Sequence, residues 1–412
     1  IKRETLMLKK IIVLIFIATS LYANSLKELL SNIEVTNENY QAQQALQEMA
    51  KKQYESATKD NYPTFNLIGA YENNSKVLSN EPEDIAYGEL KASYILYDGN
   101  KILNNELSKK NLHESQKLKT QYLKQEIMLE VIKQYFSYQN TKSAIDVINY
   151  KINELNGQIK KFEILVKNDL ETKDKLQALI ASKKEALYDI ENLKIDLENS
   201  ILQLSLLTGR EISLHDEERL IEPSYEENDR YDIEAKKLEA KSVKYTSDSF
   251  NYLPTISITD SLKKQEYLHY DETYNDKLNN QIIFQISFPI LDFGKISKDK
   301  EASQLEALAL NKEIAYKEKS IQIERKLALK SLESSKVKLD SATSGLEATN
   351  TTYEFSKKRF DANLISYTEY LTELTKKQDA NYRVILAKND IELKKANLAF
   401  ALGIDLLTLI KE

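Results

Sequence analysis

LYDGNK at positions 96–101 recurs as ILDFGK at positions 290–295, and these two stretches organise the whole chain. At both places a segment with the alternating apolar pattern of a β-strand ends, and a segment with helical periodicity begins. The same spacing of 194 residues relates Leu207-Thr208-Gly209 to Ala401-Leu402-Gly403. The shared order of these marks indicates that one structural unit is duplicated.

A further set of marks precedes each of these stretches, at a spacing of 191 residues. Its members are Tyr40, Tyr54, Ser56, Pro63 and Thr64, which recur as Tyr231, Tyr245, Ser247, Pro254 and Thr255. The difference between the two spacings predicts a longer loop in the second copy, between its Pro-Thr and Asp-Phe-Gly marks. We therefore divide the chain into a first repeat at 24–215, a linker at 216–230 and a second repeat at 231–412.

Each repeat has a segment with strand periodicity, and we predict one β-hairpin in each. The strands are expected at about 63–72 and 85–97, and at about 253–262 and 281–291. One face of the second strand in each hairpin is apolar, with Leu90, Ala92, Tyr94, Leu96, Phe284, Ile286, Phe288 and Ile290. Strands of about 10 residues can cross a membrane, but four cannot close a single-chain barrel, which needs at least 8. Either the chain oligomerises, or soluble hairpins cap a coiled coil with these residues packed together.

The rest of each repeat predicts long helices, at about 101–208 and 295–403. The chain has only 8 Gly and 5 Pro in 412 residues, where average usage gives about 49. Leucine and isoleucine recur at steps of three and four between Leu176 and Leu207, as coiled-coil packing requires. An uninterrupted helix over 101–167 is about 100 Å long, so we expect the helices to pack side by side as a rod or tube.

Composition excludes several classes of function. There is no Cys, and His113, His215 and His269 lie far apart, which excludes thiolate zinc, disulfides and a Cys nucleophile and leaves no His pair for a metal. The net charge of -6, without a basic block, argues against nucleic acid as a partner. The chain has no G-x-x-x-x-G-K phosphate loop. We therefore expect no enzyme activity, no cofactor and no metal.

The N-terminal region has the pattern of a secretory signal peptide. Lys9-Lys10 precede an apolar run at 11–18, and a polar stretch follows the small residue Ala23. A run of 8 residues is too short to span a bilayer, which takes about 20. We predict a signal peptide within 1–23, preceded by an upstream extension at 1–6, with cleavage after Ala23.

The signal, the duplication of helix, hairpin and helical hairpin, the Tyr-x-Pro-Thr and Asp-Gly-x-Lys marks and their order resemble the TolC-type outer-membrane efflux and secretion channels. The resemblance covers residues 24–412. It implies a mainly α fold with a small β part, in which three chains form a 12-stranded outer-membrane barrel continuous with a periplasmic helical tunnel. The apolar strand residues would then face lipid.

The same resemblance implies a function and partners. It implies a passive exit duct of a tripartite efflux pump or type I secretion system, located in the cell outer membrane. Its partners would be two further copies of the chain, a periplasmic adaptor (membrane fusion) protein, and an inner-membrane pump or ABC transporter. The alternative is a secreted or periplasmic coiled-coil interaction protein that forms no channel.

In that family, adaptors dock where the two helices of each long hairpin meet at the periplasmic end. The corresponding segments here are 166–173 and 360–367. Family members usually carry Gly before the Leu of this turn, whereas this chain has Asp169 and Asn363, two residue types that tolerate a left-handed φ. The residues implied in docking are Asp169, Leu170, Glu171, Thr172, Asn363, Leu364, Ile365 and Ser366.

The family's closed entrance is often ringed by acidic residues a few positions after this turn. Glu369 occupies one such position, while Lys175 and Thr372 stand where other acids are common. This departure argues against a strongly acidic gate. Glu369 repeated around an axis would create like-charge repulsion or a cation site, or it is an ordinary solvated helix residue.

Overall fold

A computed structural model describes residues 25–73, 84–214, 218–268 and 278–410. The predicted signal peptide at 1–23 lies outside these ranges, as do His215 and His269. The described part of the chain is mainly helical, with one small antiparallel sheet, as the sequence predicts. Within it, no helix is long and apolar enough to cross a bilayer.

The first half begins with short helices and continues into a hairpin and two long helices. Its elements are α1 (Leu26–Ser31), α2 (Ile33–Thr36), α3 (Glu38–Ala57), a 3-10 turn (Thr58–Asn61), β1 (Thr64–Asn73), β2 (Asp84–Tyr97), α4 (Lys101–Lys167) and α5 (Lys173–Thr208). The second half repeats the pattern with α6 (Tyr231–Ser249), β3 (Thr255–Leu268), β4 (Asn279–Ser287), α7 (Lys295–Asp361), α8 (Tyr367–Leu402) and a 3-10 turn (Leu406–Leu409). Both α4 and α7 have 67 residues, and both α5 and α8 have 36.

The four strands form one sheet in the order β1-β2-β3-β4, with every neighbouring pair antiparallel. The pairing of β2 with β3 joins the two hairpins, with Tyr94 opposite Ile258. No described residue pairs with the outer edge of β1 or of β4. The sheet therefore ends in two open edges.

The register places most of the predicted apolar set on one face of the sheet, because residues directly opposite each other in a ladder share a face. Leu67 pairs with Leu90, and Ile258 pairs with both Tyr94 and Phe284. This face carries Phe65, Leu67, Tyr71, Leu90, Ala92, Tyr94, Ile258, Ile282, Phe284 and Ile286. The same face also carries Asp260, Lys264 and Glu266. The opposite face is mainly polar, with Asn66, Lys91, Ser93, Thr259, Ser261, Gln281 and Gln285 beside Ile68, Tyr87 and Ile283.

Three residues of the predicted set do not lie as expected. A bulge between Ile95 and Tyr97 brings Tyr97, rather than Leu96, opposite Ile256, because a bulge inserts an extra residue and reverses the alternation beyond it. Phe288 and Ile290 lie beyond the end of β4 at Ser287. Pro289 stands between them, and proline cannot donate a hydrogen bond to continue the ladder.

The chain divides into two compact units. The helical unit comprises Ile1–Gln43, Gln121–Arg230 and Lys319–Glu412, and the sheet unit comprises Gln44–Thr120 and Tyr231–Glu318. Each unit draws segments from both halves of the chain, so a compact unit does not coincide with a repeat. The division into repeats at 24–215 and 231–412 stays a prediction.

The core of the helical unit is built around α1. Leu26, Leu29 and Leu30 are completely buried and pack in one cluster with α4 residues, among them Met128 and Ile132. Elsewhere α4 packs against α5 through Ile152 and Ile190. Asn389 of α8 donates to Asn140 of α4 at 2.7 Å, and α8 packs against α7 through Leu398 and Leu332. Within this unit the helices therefore neighbour one another in the order α5, α4, α8, α7.

Candidate functional site

The turn between α4 and α5 closes with two hydrogen bonds to the end of α4. The Leu170 amide donates to the Leu165 carbonyl at 2.9 Å, and the Asp169 amide donates to the Val166 carbonyl at 3.2 Å. Asp169 has a φ of 58°. This is the Schellman arrangement, in which one left-handed residue ends a helix and satisfies its last carbonyls.

The turn between α7 and α8 has the same geometry. The Leu364 amide donates to the Arg359 carbonyl at 2.8 Å, and the Asn363 amide donates to the Phe360 carbonyl at 2.9 Å. Asn363 has a φ of 57°. Asp169 and Asn363 thus adopt the left-handed conformation that their residue types favour in place of glycine.

These two turns, which we call the helical tips, each present one exposed leucine. Leu170 is 69% exposed and Leu364 is 68% exposed. Asp169, Thr172, Asn363 and Ser366 are exposed as well, and Glu171 and Ile365 are half-buried. The Ser366 hydroxyl accepts from the Glu369 amide at 3.2 Å and begins α8. The docking role of the tips is not tested by this geometry and stays a prediction.

The two charged residues predicted near a gate both have partners of opposite charge. Lys175 donates to Glu171 at 2.7 Å, and this hydrogen bond lowers the pKa of Glu171 below its ordinary value. Glu369 lies 3.8 Å from Arg359. Within one chain, therefore, Glu369 is not an isolated negative charge, and a gating role for Glu369 and Lys175 stays a prediction.

An aromatic cluster lies immediately behind the tips, and the sequence interpretation missed it. It contains Phe162, Tyr353, Phe360, Tyr367 and Tyr370. Phe360 and Tyr370 stack with ring centroids 4.7 Å apart. Tyr353 and Phe360 are seven residues apart on α7, and Tyr367 and Tyr370 are three apart on α8. These spacings put each pair on one side of its helix and are the signal that could have revealed the cluster.

The hydroxyl groups of this cluster are largely withdrawn from water. The Tyr370 hydroxyl donates to Glu154 and lies 3.4 Å from the Tyr353 hydroxyl. Burial, followed by the hydrogen bond to Glu154, raises the pKa of Tyr370 well above its ordinary value. Burial also raises the pKa of Tyr367, whose hydroxyl has no hydrogen-bond partner among the described residues. The cluster therefore ties α4, α7 and α8 together at the tips.

The Asp-Gly and Asp-Phe-Gly marks lie where a strand ends and a long helix begins, between β2 and α4 and between β4 and α7. The carboxylate of Asp98 accepts from the Lys101 and Ile102 amides at 3.0 and 2.6 Å. The carboxylate of Asp292 accepts from the Gly294 and Ile296 amides at 3.0 and 2.7 Å. Each aspartate thus satisfies amides at the beginning of a long helix, which have no partner within the helix.

In the described ranges, no group of three or more His, Asp or Glu residues could hold a metal ion.

Helices α5 and α7 each carry a stripe of exposed apolar residues. On α5, Tyr188, Ile195 and Leu202 are 67%, 67% and 60% exposed and recur every seven residues. On α7, Ile323, Leu327 and Val337 are 60%, 59% and 69% exposed.

Comparison with known proteins places this fold. No protein-family model matches the chain, and no curated protein matches it by sequence. Among solved structures, it is similar to CusC with 16% identity and a TM-score of 0.80, covering 93% of this chain and 96% of that one. It is similar to the Campylobacter jejuni CmeC outer membrane channel with 14% identity and a TM-score of 0.80, over 95% and 91% of the two chains.

A third solved structure is the open state of the Neisseria gonorrhoeae MtrE outer membrane channel. The two chains are 15% identical with a TM-score of 0.80, covering 94% of this chain and 91% of that one. At this level of identity the likeness establishes the fold. The chain has the fold of these channel proteins over almost its whole length.

Proposed function

We propose that this chain is a passive outer-membrane exit duct that conducts substrates from a periplasmic adaptor and an inner-membrane transporter to the exterior. In this proposal it belongs to the TolC-type channels, assembles as a homotrimer, and has its helical part in the periplasm. It serves a tripartite efflux pump or a type I secretion system and has no enzyme activity. The observation that carries the proposal is a sheet with one exposed apolar face and two open edges, in a chain with the fold of solved outer-membrane channels.

The apolar face of the sheet supports a lipid environment. Leu67 is 85% exposed, Phe65 is 72% exposed and Phe284 is 70% exposed. Exposed apolar patches of this kind mark binding or membrane surfaces. The alternating polar face then lines the lumen, as in barrels whose strands alternate between lipid and water.

The open edges support closure with further copies of the chain. β4 of one copy would pair with β1 of the next, since both present unpaired backbone groups. Two copies give 8 strands, a barrel largely filled by side chains, whereas three give 12 and leave a passage. The choice of three rests on the resemblance to the TolC-type channels.

The outer faces of the helical unit support the same ring. Both hairpins have their tips in one cluster, so α5 and α7 run in opposite directions and lie at opposite ends of the helix order. Beside its stripe, α5 carries the exposed acids Asp189, Asp196 and Glu198, and none of them has an ion-pair partner in the described chain. A ring of copies would set α5 of one copy beside α7 of the next.

The stripe on α7 has exposed lysines beside it, together with the exposed Glu333. Lys319, Lys326 and Lys330 are exposed, and the described residues place no carboxylate within ion-pair distance of them. A ring of copies would bury both stripes, which a single chain leaves in water.

The tips support docking of the adaptor. Leu170 and Leu364 are exposed on two turns of the same geometry, and rigid backbone behind an exposed apolar side chain lowers the entropy lost on binding. Energy for transport would come from the inner-membrane transporter, because the sequence holds no phosphate loop. The nature of the substrate, whether drug, metal or protein, stays open.

The experiment uses the fact that the chain has no cysteine. Thr64→Cys at the start of β1 and Ser287→Cys at the end of β4 should, together and after oxidation, give disulfide-linked species that stop at the trimer. The protein should fractionate with the outer membrane and form a heat-modifiable trimer that resists sodium dodecyl sulfate. Each single variant is the matched control and should not cross-link.

The result that would overturn the proposal is recovery of the full chain as a soluble periplasmic protein without β1–β4 cross-links. That outcome would favour the alternative of a coiled-coil interaction protein. Cross-linked species larger than a trimer would contradict closure at three copies while leaving edge pairing intact.

A further inference from the structure

The turn after β4 holds a bulky aromatic residue in a conformation that such residues avoid. Phe293 has a φ of 53° and is 92% exposed. Left-handed backbone is disfavoured for residues with a Cβ, and a bulky residue there is a genuine outlier. The corresponding residue after β2 is Gly99, which has a φ of 75° and accepts this conformation freely. The second copy thus places phenylalanine where the first has glycine.

Within the chain, the loop that precedes β3 packs directly against Gly99. The Gly99 carbonyl accepts from the Asn251 side-chain amide at 2.9 Å. A Cβ added to Gly99 would lie 2.6 Å from the Asn251 side-chain oxygen and 2.7 Å from the Leu253 Cβ. No side chain fits, so this turn packs directly against the loop before the neighbouring strand.

The turn after β4 receives a hydrogen bond from Tyr252 at Asp292, but within the described chain the Phe293 side chain stays exposed. A Cβ added to Gly294 would have no heavy atom within 4 Å, and Ile290 and Leu291 nearby are 93% and 73% exposed. The loop that precedes β1 is equally open, with Tyr62 61% exposed. These two open loops flank the two open edges of the sheet.

The antiparallel order of the sheet brings such loops together wherever two strands pair. The end of β2 lies beside the start of β3, with Tyr97 opposite Ile256. In the same way, pairing of β4 with β1 of a second copy would set the turn after β4 beside the loop before that copy's β1. The contact between Gly99 and the loop before β3, which we call the internal junction, therefore indicates how the junction between copies would be arranged.

We propose that Phe293 is an anchor residue that packs against the Tyr62-Pro63 segment of a second copy and holds the junction between copies closed. This inference rests on the proposed closure of β4 on β1. Glycine suffices at the internal junction because Leu253 of the same chain already fills the space. At the junction between copies, the aromatic ring of Phe293 supplies the contact area, and burial of its exposed surface compensates for the unfavourable backbone.

The turn that carries Phe293 is fixed before any partner arrives. Asp292 accepts from the amides on its C-terminal side at Gly294 and Ile296, and its carboxylate also accepts from the Tyr252 hydroxyl at 3.1 Å. The backbone hydrogen bond from Ile296 is the largest of the interactions that lower the pKa of Asp292, so the carboxylate stays charged at neutral pH. The anchor is therefore presented by a pre-organised turn, which reduces the entropy lost on assembly.

The test separates assembly from folding by using Phe293→Gly, which restores the residue type of the sister turn. In the full chain, Phe293→Gly should shorten the half-life of the trimer in sodium dodecyl sulfate at least tenfold. The unfolding midpoint of the dissociated chain should stay equal or rise, because glycine relieves the left-handed backbone. Ile290→Ala is the matched control, since Ile290 is equally exposed but lies outside the left-handed turn, and its trimer should dissociate at the normal rate.

A trimer half-life unchanged by Phe293→Gly would overturn the proposal. If that variant instead loses retention in vesicles of outer-membrane lipid while its trimer dissociates normally, Phe293 is a lipid anchor and the proposal is wrong. A second measurement is the pair Phe293→Cys with Tyr62→Cys, which should cross-link between copies. If the Thr64→Cys and Ser287→Cys pair cross-links but this pair does not, the anchor role of Phe293 is wrong while pairing of β4 with β1 is supported. If neither pair cross-links, the proposed assembly is wrong.

Discussion

The core around α1 and the apolar face of the sheet contain similar residues in opposite surroundings. Leu26, Leu29 and Leu30 are completely buried among residues of the same chain, whereas Leu67 and Phe284 are 85% and 70% exposed. The first region is completed by one chain. In the second region, apolar side chains of a single chain stay exposed, as do Leu170 and Leu364 at the tips. Under the proposed function, burial within the chain therefore separates residues that maintain the fold from residues that contact lipid or a partner.

The sharpest separation is expected at the tips. Leu170→Asp combined with Leu364→Asp should abolish transport, because both exposed leucines would present charge to an apolar partner surface. The trimer and its heat-modifiable behaviour should be unaltered, since neither side chain is part of a buried core. The measurement is export or drug susceptibility in cells, with Lys173→Asp as a charge-matched control at the same turn. Normal export by the double variant would contradict docking through the tips.

The core should respond in stability rather than in transport. Leu29→Ala removes a completely buried side chain, and we expect it to lower the free energy of unfolding by about 2–5 kcal/mol. Thermal or denaturant unfolding of the purified protein measures the change. Leu67→Ala is the matched control on the sheet, and in the dissociated chain it should change the stability by less than about 0.5 kcal/mol. Equal losses of unfolding free energy in Leu29→Ala and Leu67→Ala would contradict the difference between the two regions.

The sheet should respond when the protein is placed in a membrane. Phe284→Lys sets a charge on the apolar face, and for a lipid-facing strand residue we expect a loss of about 2–4 kcal/mol per copy at mid-membrane depth. Gln285→Lys puts the same charge on the opposite face and should be tolerated. Folding into vesicles as a function of denaturant gives both values. The contrary result, a larger loss at Gln285, would show that the faces are assigned in reverse.

A smaller effect is expected when the pH rises at the tips. The pKa of Tyr370 is raised above its ordinary value of 10.0 by burial and by its bond to Glu154. A raised pKa means that the stability contributed by the neutral hydroxyl is complete below pH 10 and is lost as the pH rises further toward the folded-state value. The protection of amide hydrogens in the tips, measured relative to their intrinsic base-catalysed exchange rates, should therefore fall above that pH. Tyr370→Phe should weaken this dependence, while the protection of amides around α1 should stay the same in both proteins.

The smallest effect is expected at the cap of α8. The Ser366 hydroxyl accepts from the Glu369 amide, and Ser366→Ala should lower stability by about 1 kcal/mol. Thr172 begins α5 without a side-chain cap bond, so Thr172→Ala should change it less. Thermal unfolding of the two variants compares the two tips directly. An equal loss at both positions would mean that the hydroxyl bond at Ser366 adds nothing.

Much of this arrangement follows from local sequence. Alternation predicted four strands, and the scarcity of Gly and Pro predicted long helices, because both signals depend only on neighbouring residues. The left-handed turns at Asp169 and Asn363 also followed, since few residue types tolerate that backbone. The bulge that moves Tyr97 into the place of Leu96 did not, because it depends on pairing with β3. The aromatic cluster was missed for a related reason: it depends on Phe162 of α4 packing against α7 and α8, which are distant from α4 in sequence.

The open edges also bear on how such a chain reaches its final state. Until β1 and β4 are paired, each copy offers two rows of free amides and carbonyls beside an apolar surface, the combination that templates aggregation. Correct closure and wrong addition both grow with chain concentration, but only closure stops at a finite number of copies. If the proposed assembly forms, secretion faster than membrane insertion would lead to aggregation. The yield would then depend on the relative rates of ring closure and of aggregation, and not on the stability of the assembled ring.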